Sequence, residues 1–287
     1  MKDITIGLLF SLLWATASVV TKIGLKSVQP LVMADVRFCI AAFIMLIWAY
    51  ILRGGKIKHA MPKGNEWRAL ALYGLLNITI YLGAFGLAIK EVAAGIGTLS
   101  IAVNPLIISV LSAIWLGRAV KRQEWWGLVL GFLGVGIATY PLLVQAYATV
   151  KGLAILFISM LSYSVGTVYF SSIPWRLSRL VINAWQIFFG GLFLLPFVVL
   201  SFESQLNRID ANFLFSIFWL VFPVSILAVQ LWLYLLNLDP VKASLWLFLC
   251  PIFGFAYAYL LLNEPLSIYT FAGTGLVILG LYLGQRA

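Results

Sequence analysis

Residues 103–118, VNPLIISVLSAIWLGR, and residues 249–264, LCPIFGFAYAYLLLNE, align at an offset of 146. Pro105 falls on Pro251 and Arg118 on Glu264, and at the same offset Gly127 falls on Gly273 and Gly134 on Gly280. Earlier in each half the offset is 149: Trp14 falls on Tyr163, Ser18 on Thr167, Arg37 on Gln186, and Ala41-Ala42 on Gly190-Gly191. A prolyl pair and two glycine pairs at one common offset exceed what shared composition produces. The chain is an internal duplication, with units at residues 1–148 and 149–287 and a three-residue slip between them.

What is duplicated follows from composition. Of 287 residues, 63% are hydrophobic and 10% charged, and the mean hydropathy is +1.05. A soluble domain is about 45–50% apolar and about 25% charged, so water cannot be the solvent of this surface. A helix crossing the ~30 Å hydrocarbon core needs about 20 apolar residues. Apolar runs between polar breaks predict crossings at 4–25, 31–52, 69–89, 93–116 and 125–144. A second set is predicted at 152–170, 180–201, 213–236, 241–262 and 267–285. Arg53-Gly54-Gly55-Lys56 ends a helix at the longest basic loop, and Asp239-Pro240 and Asn263-Glu264-Pro265 are tight reversals, since proline suits the first turn of a new helix. Ala15-Thr16-Ala17 resembles a signal-peptide cleavage site, but the apolar run continues to Val20 and the duplication needs the segment as a helix. The expected fold is therefore an all-α membrane protein of ten transmembrane helices in two five-helix repeats. Five is odd, so the second repeat enters from the opposite side and is inverted. That arrangement places a substrate site near the midplane between the repeats.

The formal net charge of +10 would suggest nucleic acid in a soluble chain, but here the charges lie in short loops and report topology. With the N-terminus cytoplasmic, the inside holds Lys2, Arg53, Lys56, Lys58, Lys63, Arg68, Arg118, Lys121, Arg122, Arg176, Arg179, Lys242 and Arg286. The outside holds Lys22, Lys26, Lys90, Lys151 and Arg208. The excess places both termini in the cytoplasm. Cys39 and Cys250 lie in apolar runs, and His59 is the single histidine, so no metal site or cofactor is expected. No GxSxG, HExxH or phosphate-cradling GxxxxGK[ST] occurs, which argues against an enzyme.

Several stretches resemble the EamA-type branch of the drug/metabolite transporter superfamily. They are Leu13-Trp14-Ala15 with Lys22, Ala34-Asp35-Val36-Arg37-Phe38, Asn104-Pro105-Leu106, and Trp126-Gly127 with Gly134. In the second half they are Cys250-Pro251-Ile252, Leu262-Asn263-Glu264-Pro265-Leu266, and Gly273 with Gly280. The similarity runs over nearly the whole chain. It implies a ten-helix inverted-repeat fold in the cytoplasmic (inner) membrane and transport of amino acids or related small metabolites, often outward. One departure stands out: the family often carries a Gly-Glu pair after the fourth helix as after the ninth, whereas here the first is Gly117-Arg118.

Polar and aromatic residues inside the spans are the candidates for the substrate cavity: Trp14, Arg37, Asn77, Tyr81, Thr98, Asn104, Tyr163, Thr167, Trp185, Gln186, Gln230 and Trp246. An ionisable group in lipid costs roughly 2.5–3.5 kcal/mol on insertion scales, so Arg37 either faces a cavity or snorkels to the interface. Asp35, the deep carboxylate, is the candidate for proton coupling. Positions i and i+2 do not face each other on a helix, which argues against an Asp35–Arg37 pair. Pro105 and Pro251 interrupt their helices and are candidate hinges or points where carbonyls open to the cavity. The glycines of the fifth and tenth helices permit close approach, within the bundle or in a homodimer. An alternating-access exporter of amino acids or metabolites is the leading expectation, with a small molecule and the bilayer as partners. A multidrug exporter of hydrophobic cations is the alternative, favoured by a cavity-facing carboxylate and opposed by a cavity presenting Arg37.

Overall fold

The computed structural model describes residues 2–52, 61–92, 97, 100–145, 149–262 and 267–286. Apolar runs become helices because a backbone in hydrocarbon must satisfy its own hydrogen bonds. In chain order these are α1 (Lys2–Gly24) and α2 (Pro30–Ile47, prolonged by a wide π turn at Trp48–Leu52). Then come α3 (Asn65–Glu91, π-wound over Leu75–Ile80), α4 (Asn104–Trp115) and α5 (Arg122–Gln145). α6 (Val150–Ser172), α7 (Arg179–Ser201) and α8 (Ala211–Leu238, π-wound over Leu220–Ala228) follow. α9 runs from Pro240–Leu245 through a tight 3-10 turn, Trp246–Phe248, into Leu249–Leu262, and α10 is Ile268–Arg286.

Among the described residues eight stretches, within α1, α2, α3, α6, α7, α8, α9 and α10, are long and apolar enough to cross a bilayer, while α4 is a shorter apolar helix. Large apolar side chains cover the outside, Leu200 at 86% exposure and Ile114 at 79% among them. A patch on that scale belongs against lipid. The chain is thus an all-helical, multi-pass membrane protein. The expected fourth span began at residue 93, and most of its first part, with Thr98, lies outside the described residues; so do the Arg53 loop and Asn263, Glu264 and Pro265.

Short polar devices set the helix ends. The Asp239 side chain accepts from the Lys242 amide at 2.9 Å and Pro240 opens α9, so α8 reverses into α9 in one residue. Asp210 caps α8 through the Phe213 amide and also accepts from Ser27 Oγ at 2.7 Å, tying that loop to the end of α1. The expected breaks at the two prolines are found one turn earlier than the prolines themselves. Ala102–Val103 form a turn before Pro105, and Trp246–Phe248 form the 3-10 turn before Pro251. Each proline sits near the start of the resumed helix, where its missing N–H costs nothing.

Packing follows a regular scheme. α2 lies on α7 and α5 on α10; α1 packs against α8 and α9, as α6 packs against α3 and α4; α3 packs on α7, as α8 packs on α2. The α5–α10 contact is backbone against backbone. A methyl carbon built on Gly127 would sit 2.7 Å from the Gly280 carbonyl oxygen, and one built on Gly134 would sit 2.7 Å from that of Gly273. The two helices therefore run antiparallel. α2 and α7 do likewise, with Asp35 beside Gly191 and Met45 beside Asn183.

Candidate substrate site

One face of α1, Trp14, Ala17, Ser18 and Thr21, follows the i, i+3, i+4, i+7 rhythm of a helix and turns inward. With Arg37 of α2, Tyr81, Leu82 and Phe85 of α3, Ile101, and Val224 of α8 it encloses a cavity of about 20 Å³. A volume near 10–15 Å³ suffices for one water, so this is a small space, largely apolar, into which Ser18, Thr21, Arg37 and Tyr81 bring polar groups.

Arg37 dominates it electrically. The side chain is 6% exposed, its Nε donates to Ser225 Oγ at 2.8 Å, and its guanidinium lies 5.4 Å from the Phe38 ring centre. No carboxylate is within ion-pair distance of it among the described residues. Ser225 begins a polar chain through the helix packing. Asn183 Nδ2 donates to the Ser225 carbonyl at 2.9 Å, Gln186 Nε2 to Asn183 Oδ1 at 2.9 Å, and Asn77 Nδ2 to Gln186 Oε1 at 3.1 Å. Neutral amides thus hold the anchor of a buried cation in place. The π turn of α3 carries Asn77 and that of α8 carries Ser225; π insertions widen a helix and recur at functional sites.

Below the cavity lies a block of rings. Tyr163 is 4.6 Å from Tyr81, 5.8 Å from Trp232 and 6.5 Å from Trp14, centre to centre, and Phe10 stacks on Trp232 at 5.0 Å. Ser18 Oγ and Trp232 Nε1 are buried with no hydrogen-bond partner among the described residues, and the buried hydroxyls of Tyr163 and Thr167 lie beside one another. Buried polar groups are normally paired, so Ser18, on the cavity wall, offers a hydroxyl to a polar guest.

The expected site residues therefore separate into groups. Trp14, Arg37 and Tyr81 line the cavity, Tyr163 and Thr167 belong to the block behind it, and Asn77 and Gln186 belong to the polar chain. Asn104 lies elsewhere, joining α4 to α6 through Ser164 Oγ at 3.1 Å. Trp185 donates to Tyr50 Oη at 3.0 Å, and Gln230 donates to the Arg179 carbonyl at 3.2 Å. Trp246 packs over Gly7 and lines a groove with Asp3, Lys242 and Arg286. Asp35 faces away from the cavity, toward α7, where Cys39 Sγ lies 3.8 Å from its Oδ2. It is about 200° around α2 from Arg37, which accounts for the missing pair. Asn183 and Ser225, polar residues within the spans, and Trp232, an inner aromatic, join the site from outside the candidate set, as do Ser18 and Phe10; for Ser18 the signal was available, because it aligns with Thr167 at the 149-residue offset. No cluster of three or more His, Cys, Asp or Glu able to hold a metal ion occurs among the described residues.

Away from the cavity, Arg118 forms a forked pair with Glu124, 2.6 Å to each oxygen, and reaches Asp239 Oδ2 at 2.9 Å. The α4–α5 loop is thereby fastened to the α8–α9 turn. The bond to Glu124 leads in holding the guanidinium above its ordinary pKa, so it stays charged.

Helices long enough to cross a membrane surround a small space that holds a buried cation, and the comparison with known families makes the class a multi-pass membrane transporter. The chain belongs to the EamA-like transporter family, whose model matches residues 1–140 and 150–284. An uncharacterized transporter of Archaeoglobus fulgidus is 27% identical over 275 residues, covering 95% of each chain. A probable amino-acid metabolite efflux pump of Salmonella typhimurium is 26% identical, covering 98% of this chain and 94% of that protein. An uncharacterized inner membrane transporter of Escherichia coli, YedA, is 26% identical over 96% of this chain and 89% of its own. A crystal structure 17% identical in sequence has a TM-score of 0.81, over 99% of this chain and 97% of that one, and shares the fold.

Proposed function

We propose that the protein exports amino acids or related carboxylate-bearing metabolites across the cytoplasmic membrane by alternating access. On this reading ten helices form two inverted repeats, 1–148 and 149–287, with both termini cytoplasmic. The packing scheme supports it, since exchanging each helix for the one five places on leaves the scheme unchanged. Mates α2 and α7, and α5 and α10, run antiparallel, as an axis in the membrane plane requires. The two glycine contacts exchange with one another under the same operation, and Trp14 meets its own mate, Tyr163. The two stretches matched by the family model agree with the boundary.

The observation that carries the substrate class is Arg37, a buried cation with no carboxylate partner among the described residues, at a small internal space. Charge-assisted bonds from a guanidinium recognise a carboxylate geometrically, and the surrounding rings suit an apolar side chain. The same cation opposes hydrophobic cations at this position. The cavity is too small for an amino acid, so the bound state needs the two halves to part, with the breaks before Pro105 and Pro251 as the natural hinges. A zwitterion carries no net charge, so the membrane potential does not by itself oppose its movement.

Counterflow uptake by purified protein in liposomes, with a labelled panel of amino acids and metabolites, tests this. Exchange of carboxylate-bearing compounds, lost with Arg37→Gln, is the expected result. Exchange confined to cations, or undiminished by that substitution, refutes the reading.

A further inference from the structure

Asp35 is 8% exposed, and its Oδ1 has no hydrogen-bond partner among the described residues. It lines a second cavity, about 250 Å³, between α2 and α7. The Oδ1 atom lies over Gly191, one of the residues lining that space. Apart from Asp35 and the Cys39 thiol the lining is hydrocarbon and rings, Phe38, Phe43, Phe188 and Leu195 among it. Phe43 is 66% exposed and Leu195 43%, on the surface that meets lipid. The cavity thus opens sideways to the bilayer and is distinct from the Arg37 space, with which it shares no lining residue.

A carboxylate facing hydrocarbon is expensive unless paired, and an engineered apolar cavity of about 150 Å³ takes a benzene ring. We infer that the α2–α7 cavity binds lipophilic monoammonium compounds, an aromatic ring on a short alkyl amine, entering from the lipid and pairing with Asp35. The lining runs along α2 from Asp35 to Leu46, about 16 Å at the helical rise. Along α2 the carboxylate is the lining residue nearest the α1–α2 turn, and most of the apolar lining lies inward of it. An amphiphilic cation in a leaflet lies the same way, charge toward water and ring toward the midplane. Binding needs no transport and does not rest on the carboxylate-export reading.

Equilibrium binding of labelled 2-phenylethylamine to the full-length protein in lipid nanodiscs tests it, with 3-phenylpropionate and 2-phenylethanol as competitors. Saturable binding is expected, displaced by neither competitor at equal concentration. Asp35→Asn weakens it at least ten-fold. Gly191→Leu, which fills the space, and Leu195→Trp, at its exposed lip, weaken it comparably while Asp35 remains; a monodisperse chromatographic profile certifies each variant used. Absence of saturable binding, undiminished affinity in Asp35→Asn, or displacement by the anion overturns the inference. So does loss of binding in Ser18→Phe, which fills the Arg37 space, with retention in both cavity-filling variants.

Discussion

Two ionisable residues two positions apart have opposite fates. Helical geometry sends Arg37 toward α8 and Asp35 toward α7, and each meets a different solvent: a small internal space for one, an opening to lipid for the other. The guanidinium is aimed by a single neutral bond to Ser225. Removing a hydrogen bond to a charged group costs about 1.5–3 kcal/mol. Arg37→Gln is therefore expected to lower kcat/KM for counterflow by roughly ten- to a hundred-fold, since 1.4 kcal/mol is a factor of ten. Ser225→Ala keeps the cation but frees it, so KM should rise several-fold with little change in melting temperature. Equal damage from both substitutions to stability and to transport would reduce Arg37 to a structural anchor.

Among the elements, the α5–α10 seam is the tightest. Glycine at positions 127, 134 and 280 is demanded by carbonyl oxygens of the facing helix, not by backbone dihedrals. Small residues let membrane helices approach this closely, and a side chain would have to separate them. Gly280→Val should lower the melting temperature in detergent by several degrees or abolish recovery of folded protein, overpacking costing about 1–3 kcal/mol or more. Gly275 lies on the same helix with nothing within 4 Å of a built methyl carbon. Gly275→Ala should be neutral or stabilising by up to about 1 kcal/mol. The contrast separates a packing seam from a general glycine preference.

Across the whole molecule, the Arg118 knot and the ring block lie on the same side of the Arg37 cavity under the proposed topology, and both close it toward the cytoplasm. Glu124 has a fully buried side chain, and Arg118 is 20% exposed. Removing one partner of a buried pair costs about 3–5 kcal/mol, toward the lower end here because Arg118 is partly wet. Arg118→Gln should lower thermal stability by that order, and Glu124→Gln in the same chain should restore part of the loss. The melting temperatures of the single and double variants measure it. Reporters fused at the C-terminus and inserted between Glu203 and Asp210 should mark cytoplasm and exterior respectively; the reverse pattern would invert the topology. The expected Glu264, mate of Arg118, lies outside the described residues, so the second half of that comparison rests on sequence.

Apolar run length determined that this chain is a helical membrane protein, because hydrocarbon leaves an isolated backbone no other regular form, and the repeated Pro and Gly positions raised the expectation of two repeats. For Arg37 two fates stayed open in the sequence, a cavity or the interface. Periodicity tells which residues share a face but not what the face meets, and so tertiary structure alone decided the rest. It gathered Asn77, Asn183, Gln186 and Ser225, over a hundred residues apart at the extremes, into one chain behind the cation. It sent Trp185, Gln230 and Asn104 to ordinary packing contacts, and turned Asp35 to an opening in the lipid-facing wall. Polar side chains within apolar spans look alike in sequence; their partners are chosen by which helices touch.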